Sequence, residues 1–297
     1  MKEIADLAGV SVATVSYVLS GKKNIGDDKR DRVLRAVELT NYKLNTIAKS
    51  LRMNKTHIIG VLVEDICGLP VPEIVDGISR KLEESGYQVL LSNLQLLQKL
   101  YNQYDQLSQY MSVVNRGIQL LEDARVDGII YIAMHDRHIV DIQQPVNIPL
   151  AFAYAISDDP DSLSVTYDNY HSLQELTHHL ISLGHKRIAI LAGHANSPAT
   201  RQRLSGYRAA MDESGLRVPA EYIRWGNWEY ASGVEQTDAL LSLTVPPTAI
   251  IAMNDVMAAG GYTAAQRRRL TIPDDLSIVG FDNQAIASYL YPNLTTV

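Results

Sequence analysis

The chain has 297 residues, 46% of them hydrophobic, and a formal net charge of −6. That is enough apolar material for a small module and a larger body, each with its own core. No run of eighteen apolar residues exists to cross a membrane, and the single cysteine, Cys67, excludes an internal disulfide framework and fits a reducing cytoplasm. The charge is unevenly spread. Residues 1–57 hold 11 Lys and Arg against 6 Asp and Glu, which leaves 16 against 27 for the rest. A basic head suited to phosphates and an acidic body that is not are expected from that split.

The first residues, from Met1, read as an amphipathic helix rather than a secretion signal. Ile4, Leu7 and Ala8 share one helical face, and Gly9 ends the helix. Ser11 is a good N-cap for a second helix whose buried stripe is Val15, Val18 and Leu19. Two short helices with a glycine turn form a helix-turn-helix pattern. Asp27 and Asp28 announce a third helix, carried by Val33, Leu34, Val37 and Leu39. The second helix is then left to display Val12, Ala13, Thr14, Ser16 and Tyr17 near the end that meets base edges.

Asn45–Arg52 has helical propensity but is too short to hold a helix alone, since isolated helices below about 12 residues are marginal in water. From the residues alone it is a plain linker with an incidental leucine or a hinge that orders on DNA. Beyond it, apolar strand-like runs alternate with amphipathic helices, the pattern of parallel α/β layers. Strands are expected at 58–63, 88–92, 128–132, 150–153, 187–192, 249–252 and 276–281. Helices are expected from Pro72 and over 172–183, 201–214, 231–243 and 255–268. The Gln- and Tyr-rich stretch Leu94–Val114 reads as an extended helix, with a solvated loop insertion as the alternative.

The run from Ile4 to Gly21, with Ala8-Gly9-Val10-Ser11 and Thr14-Val15-Ser16 as its most diagnostic parts, resembles the N-terminal signature of lac-repressor-type transcription regulators. The likeness continues through Leu39–Asn45, Ala48–Leu51 and Ile58–Val61, and along nearly the whole chain. It implies an all-α helix-turn-helix head at 1–44, a hinge helix and linker at 45–57, and an α/β two-lobed, periplasmic-binding-protein-like effector domain at 58–297. The lobes would lie near 58–155 and 160–290, and a further helix and strand would normally follow Leu294–Val297, so the family fold looks truncated there.

The resemblance further implies a homodimer on a double-stranded DNA operator. Ser11, Val12, Ala13, Thr14, Ser16, Tyr17 and Asn24 would face DNA, and Asn45, Ala48 and Leu51 would enter the minor groove with Leu51 as the apolar wedge. Val12, Ala13 and Tyr17 cannot make the forked amide or guanidinium contacts that read adenine or guanine. Thr14, Ser16 and Asn24 can reach phosphates or bases, so the operator has its own sequence.

Ligands of open α/β sheets sit beyond the carboxyl ends of the strands. There the resemblance places an effector site of Arg203, Trp228, Asn254 and Asp282 from the second lobe. From the first lobe it places Ile66, Leu69 and Pro72 in the loop that caps the effector, and Tyr154 where sugar-binding relatives often carry aspartate. An arginine, an aspartate, an asparagine and an indole together favour a sugar or sugar derivative, with a purine and corepressor logic as the alternative. A pure solute-binding protein is disfavoured by the basic head. No dinucleotide fingerprint, nucleophile elbow or phosphate loop is present, and the pairs His135/His138 and His178/His179 lack metal-ligand spacing. Neither catalysis, a metal nor a cofactor is expected.

Overall fold

The computed structural model describes residues 1–19, 25–40, 55–100, 103, 106–139, 142, 148–159 and 161–297. Asn24, Asn45, Ala48 and Leu51, and with them the expected hinge, lie outside the described residues. The chain forms two compact units, Met1–His57 and Ile58–Val297.

The first unit holds three helices: α1 (Lys2–Ala8), α2 (Val12–Leu19) and α3 (Asp27–Thr40). Gly9, at φ 63°, turns the chain out of α1, and the Gly9 and Val10 amides close on the carbonyls of Asp6 and Ala5. A left-handed residue with this pair of bonds is what glycine permits at low cost. Ser11 then caps α2, its Oγ accepting from the Thr14 amide at 3.1 Å. The core is Ile4, Ala5, Ala8, Val15, Val18, Val33 and Ala36.

Three leucines depart from the expected stripes. Leu7, Leu34 and Leu39 are exposed, while Ala5 and Ala36 take the inward positions. Each helix packs on two neighbours, so the buried sector rotates toward the small residues that let the backbones approach. A propensity stripe drawn for one helix at a time misses that rotation.

The second unit contains two parallel sheets. In the first lobe β1 (Ile58–Val63), β2 (Gln88–Asn93), β3 (Gly128–Ile132), β5 (Leu150–Ala153) and β7 (Leu163–Val165) stand in the order β2-β1-β3-β5-β7. Helices α4 (Val71–Glu84), α5 (Leu97–Leu100) and α6 (Met111–Asp123) connect them, and β4 (His138–Ile139) pairs with β6 (Ile156–Ser157). The second lobe holds β8 (Ile188–Ala192), β9 (Ile223–Trp225), β10 (Ala249–Ala252), β11 (Ser277–Gly280) and β12 (Thr295–Thr296), ordered β12-β11-β10-β8-β9. Its helices are α7 (Asn169–Ser182), α8 (Pro198–Glu213), α9 (Tyr230–Leu241) and α10 (Asp255–Arg267).

Strands β8 and β10 are buried at every residue, the signature of a parallel sheet covered on both faces. In each lobe the chain leaves a central strand toward one edge and returns on the other side, which creates a switch point between β1 and β3 and another between β8 and β10. Crossovers of residues 166–168 lead from the first lobe into α7. No described helix is long and apolar enough to cross a membrane.

The stretch Leu94–Val114 is not one long helix. It holds the four-residue α5, a 3-10 turn at Gln106–Tyr110 and the start of α6. The chain turns at Gln95, φ 55°, and is tied to the end of β1: the Leu96 amide donates to the Glu64 carbonyl and the Leu97 amide to Asp65 Oδ2. Leu96, Leu100, Leu107 and Met111 then enter the first-lobe core. Anchoring those four inward outweighs the helical propensity of the segment.

Candidate effector cleft

A cleft of about 220 Å³ lies between the lobes, and every segment that lines it follows the carboxyl end of a parallel strand. The first lobe gives Cys67–Pro70 after β1, Met134–Asp136 after β3 and Tyr154 after β5, with Leu97 from α5. The second gives Ser197, Ala199 and Arg203 after β8, Asn227–Glu229 after β9, Asn254 after β10 and Asp282 after β11. Six of these are expected from the sequence: Arg203, Trp228, Asn254, Asp282, Tyr154 and Leu69.

Ile66 is not among the lining residues. Its side chain packs with Val61, Val63, Val71 and Ile132 beneath α4, and its amide donates to Asn93 Oδ1. In the turn that follows β1 the next residue, Cys67, lines the cleft instead.

Arg203, in the second turn of α8, is buried and fully oriented. Its Nε donates to Asn169 Oδ1 at 2.8 Å, one Nη donates to the Met253 carbonyl, and the other donates to the Tyr167 hydroxyl at 3.2 Å and lies 3.5 Å from Asp282 Oδ1. The plane of the guanidinium rests on Phe281. A forked cation on an aromatic face with a carboxylate beside it is rigid before any ligand arrives.

Trp228 owes its place to two features. Gly193, just after β8, lies so close to the indole that a Cβ there would sit 2.0 Å from the ring. Asn254 accepts the Met257 amide as the N-cap of α10 and donates to the Trp228 carbonyl at 2.9 Å. Asn254 therefore holds the tryptophan as well as facing the cleft. Trp228, Tyr154 and Asp282 all have positive φ, at 70°, 57° and 103°. Such conformations are uncommon for residues other than glycine and gather at functional sites.

Burial raises two of the cleft carboxyls, Asp282 and Asp136. Burial pushes Asp282 up to about 7, against the pull of Arg203, with Asp255 adding to the rise. Asp136 is raised by burial although Thr166, Asn169 and Arg203 oppose the shift. Burial likewise raises Tyr154 and Tyr167. Among the cleft residues Arg203 is the single Lys or Arg, against the carboxyls of Asp136, Glu229 and Asp282. No group of three or more metal-ligating side chains occurs among the described residues.

Sequence reasoning missed Asp136, Asn169 and Tyr167. Asp136 follows β3 and was legible from the strand-end rule alone; Asn169 and Tyr167 act through partners more than 30 residues away and leave no local signal. In the head, the exposed face of α2 carries Ser11, Val12, Ala13 and Tyr17, with Thr14 and Ser16 half-buried.

Residues 1–45 match the model of bacterial regulatory proteins of the lacI family, and residues 177–297 match that of a periplasmic binding protein-like domain. The ribose operon repressor of Escherichia coli K12 is 32% identical over all of this chain and 87% of its own length. The chain belongs to the lacI family. Catabolite control protein A of Priestia megaterium is 33% identical over 99% of this chain and 86% of its own. The lac repressor bound to ONPG in its repressed state superposes with a TM-score of 0.80 at 27% identity, over 99% of this chain and 86% of that one. Members of the lacI family such as these are DNA-binding transcriptional repressors with an effector-binding domain, and this chain carries both parts in the same order.

Proposed function

We propose that this lacI-family member is a homodimeric cytoplasmic repressor whose operator affinity is set by a neutral polyhydroxylated effector, a sugar or sugar derivative, held in the cleft. The carrying observation is the balance of donors and acceptors. One cation, Arg203, stands among three carboxyls, those of Asp136, Glu229 and Asp282. A ligand rich in hydroxyl donors matches that lining, and a phosphate or carboxylate meets three acids instead. Trp228 supplies an apolar face for a sugar ring. The pair Trp228 and Tyr154 also supports a second reading, a flat purine between two rings.

Dimerisation is supported by the outer face of the first lobe. Strand β2 is an edge strand with Leu90 and Leu91 exposed, and of the apolar side chains of α4 only Val71 is buried. An apolar edge of this kind is a pairing surface unless it is covered. Ser11, Val12, Ala13, Thr14, Ser16 and Tyr17 are proposed as the major-groove face, and Asn24, Asn45, Ala48 and Leu51 as further DNA contacts.

Thermal-shift titration of the full chain with D-ribose, D-glucose, D-galactose, hypoxanthine and guanine tests the effector class, because a ligand of the native state raises the melting temperature. A sugar should stabilise the chain and change its retention of operator fragments in a gel shift. Stabilisation by a purine alone would reverse the preference.

A further inference from the structure

The cleft guanidinium does not end in the second lobe. Arg203 Nε donates to Asn169 Oδ1 at 2.8 Å, and Asn169 Nδ2 donates in turn to Asp136 Oδ2 at 2.8 Å and to Gln202 Oε1 at 3.0 Å. Asp136 stands on the first lobe, after β3, and its other oxygen accepts from the Thr166 hydroxyl at 3.4 Å, within the crossover between the lobes. Asn169 is the first residue of α7, where the chain enters the second lobe. All three members, Asp136, Asn169 and Arg203, are buried.

Asparagine is the residue type this position needs. Its carbonyl oxygen serves a cation while its amide serves a carboxylate, so one side chain joins Arg203 to Asp136 with no like charges in contact. An aspartate there would face Asp136 across hydrogen-bond distance. A chain of buried, fully satisfied polar groups is stiff, because every break leaves a donor or acceptor without water.

We propose that Asn169 is a positioning residue that couples the effector-facing guanidinium of Arg203 to the interlobe crossover through Asp136. A ligand that draws on Arg203 then pulls, through one amide, on the crossover that joins the lobes. This rests on the cleft being the effector site, but the crossover contact stands without a ligand.

The experiment exchanges donor and acceptor. Asp136→Leu removes the acceptor at a similar side-chain size, Asn169→Asp sets two carboxylates against each other, and the double variant Asp136→Asn/Asn169→Asp restores one donor to one acceptor with the ends reversed. In the full chain carrying Trp225→Phe, Trp228 is the remaining tryptophan, and its fluorescence reads the cleft during titration with the five ligands named above. Each single variant should weaken the bound ligand about tenfold or more, and the double variant should recover most of that loss. Without ligand, amide hydrogen exchange over residues 163–170 should quicken in both single variants and slow again in the double one.

Singles that match the wild type in binding and exchange overturn the coupling. So does a double variant no better than the worse single. If no ligand of the panel binds the wild type, the sugar and purine readings fail, and the exchange data still decide the coupling.

Discussion

The guanidinium carbon of Arg203 lies 3.5 Å from the centre of the Phe281 ring, while the same group lies 3.5 Å from Asp282, the next residue along. Strand β11 thus delivers a ring and a carboxylate in succession to one cation. The ring fixes the plane and the carboxylate fixes the edge. Lysine could keep the charge but neither the fork nor the stacking. Arg203→Lys is therefore expected to abolish the effector-dependent change in operator binding while the unliganded protein still shifts operator DNA. Gel shifts with and without ligand measure both.

A methyl group in the wrong place should do similar damage from a distance. Gly193→Ala would drive a Cβ into the indole of Trp228. The ring must leave its seat, and the expected outcome is at least about a tenfold loss of ligand affinity by calorimetry, on the scale of losing one well-placed aromatic contact. The head is a separate compact unit, so its melting and non-specific DNA binding should not change.

Asp282 gives the cleft a pH signature. Its carboxyl is raised from the ordinary 3.8 to about 7, so the folded chain keeps this proton over a range in which the unfolded chain has lost it. Deprotonation in that range favours unfolding, and the contribution to stability is fully present below about pH 4 and lost as the pH rises through 7. Asp282→Asn removes the dependence. Melting temperatures of wild type and variant, compared between pH 5 and pH 8, should diverge at the acidic end, where the wild type gains relative to the variant. Parallel curves would reject the assignment.

Glu64 and Arg137 form a buried ion pair at 3.4 Å at the end of the first sheet, with Tyr131 and the Met134 amide completing the carboxylate. Removing one member strands the other charge away from water. Arg137→Met is expected to cost about 3–5 kcal/mol in urea unfolding, and the double variant Glu64→Gln/Arg137→Met less than that. A loss below about 1 kcal/mol for the single variant would show that water reaches the pair.

The edge of the first lobe offers a simpler trial. Leu90→Lys with Leu91→Asp places charges on an exposed apolar strand and should leave the monomer folded. Sedimentation velocity is expected to show a dimer for the wild type and a monomer for the variant, with operator binding lost in parallel.

How much of this the sequence revealed depends on how far each feature acts along the chain. Ile58–Val63, Gly128–Ile132, Leu150–Ala153 and Ala249–Ala252 were readable to the residue, since a strand buried on both faces is an unbroken apolar run between polar stops. The strands at 138–139, 156–157 and 295–296 were not, because two residues carry no period. Leu7 and Leu39 misled the reading of the head, where tertiary packing chose alanines over leucines. At the cleft, Arg203, Trp228, Asn254, Asp282 and Tyr154 stood out by strand end and resemblance. Ile66 lies in the turn after β1, where no strand period marks which side chain faces the cleft. The amide of Asn169 had no such marker: its meaning lies entirely in Asp136 and Arg203, each more than 30 residues distant.

The left-handed backbone at Tyr154, Trp228 and Asp282 bears on how the cleft can change over descent. Few side chains tolerate positive φ, with asparagine, aspartate, histidine and glycine the least penalised. Tyr154 and Trp228 lie outside that set, so their loops impose the conformation against its cost, and any replacement at these positions must meet the same backbone. Cys67 and Leu69, exposed residues that line the same cleft without positive φ, are freer to vary by comparison. New specificities in this branch should arise first at those two residues, with the tryptophan, the tyrosine and the aspartate kept as a fixed frame around a changing ligand.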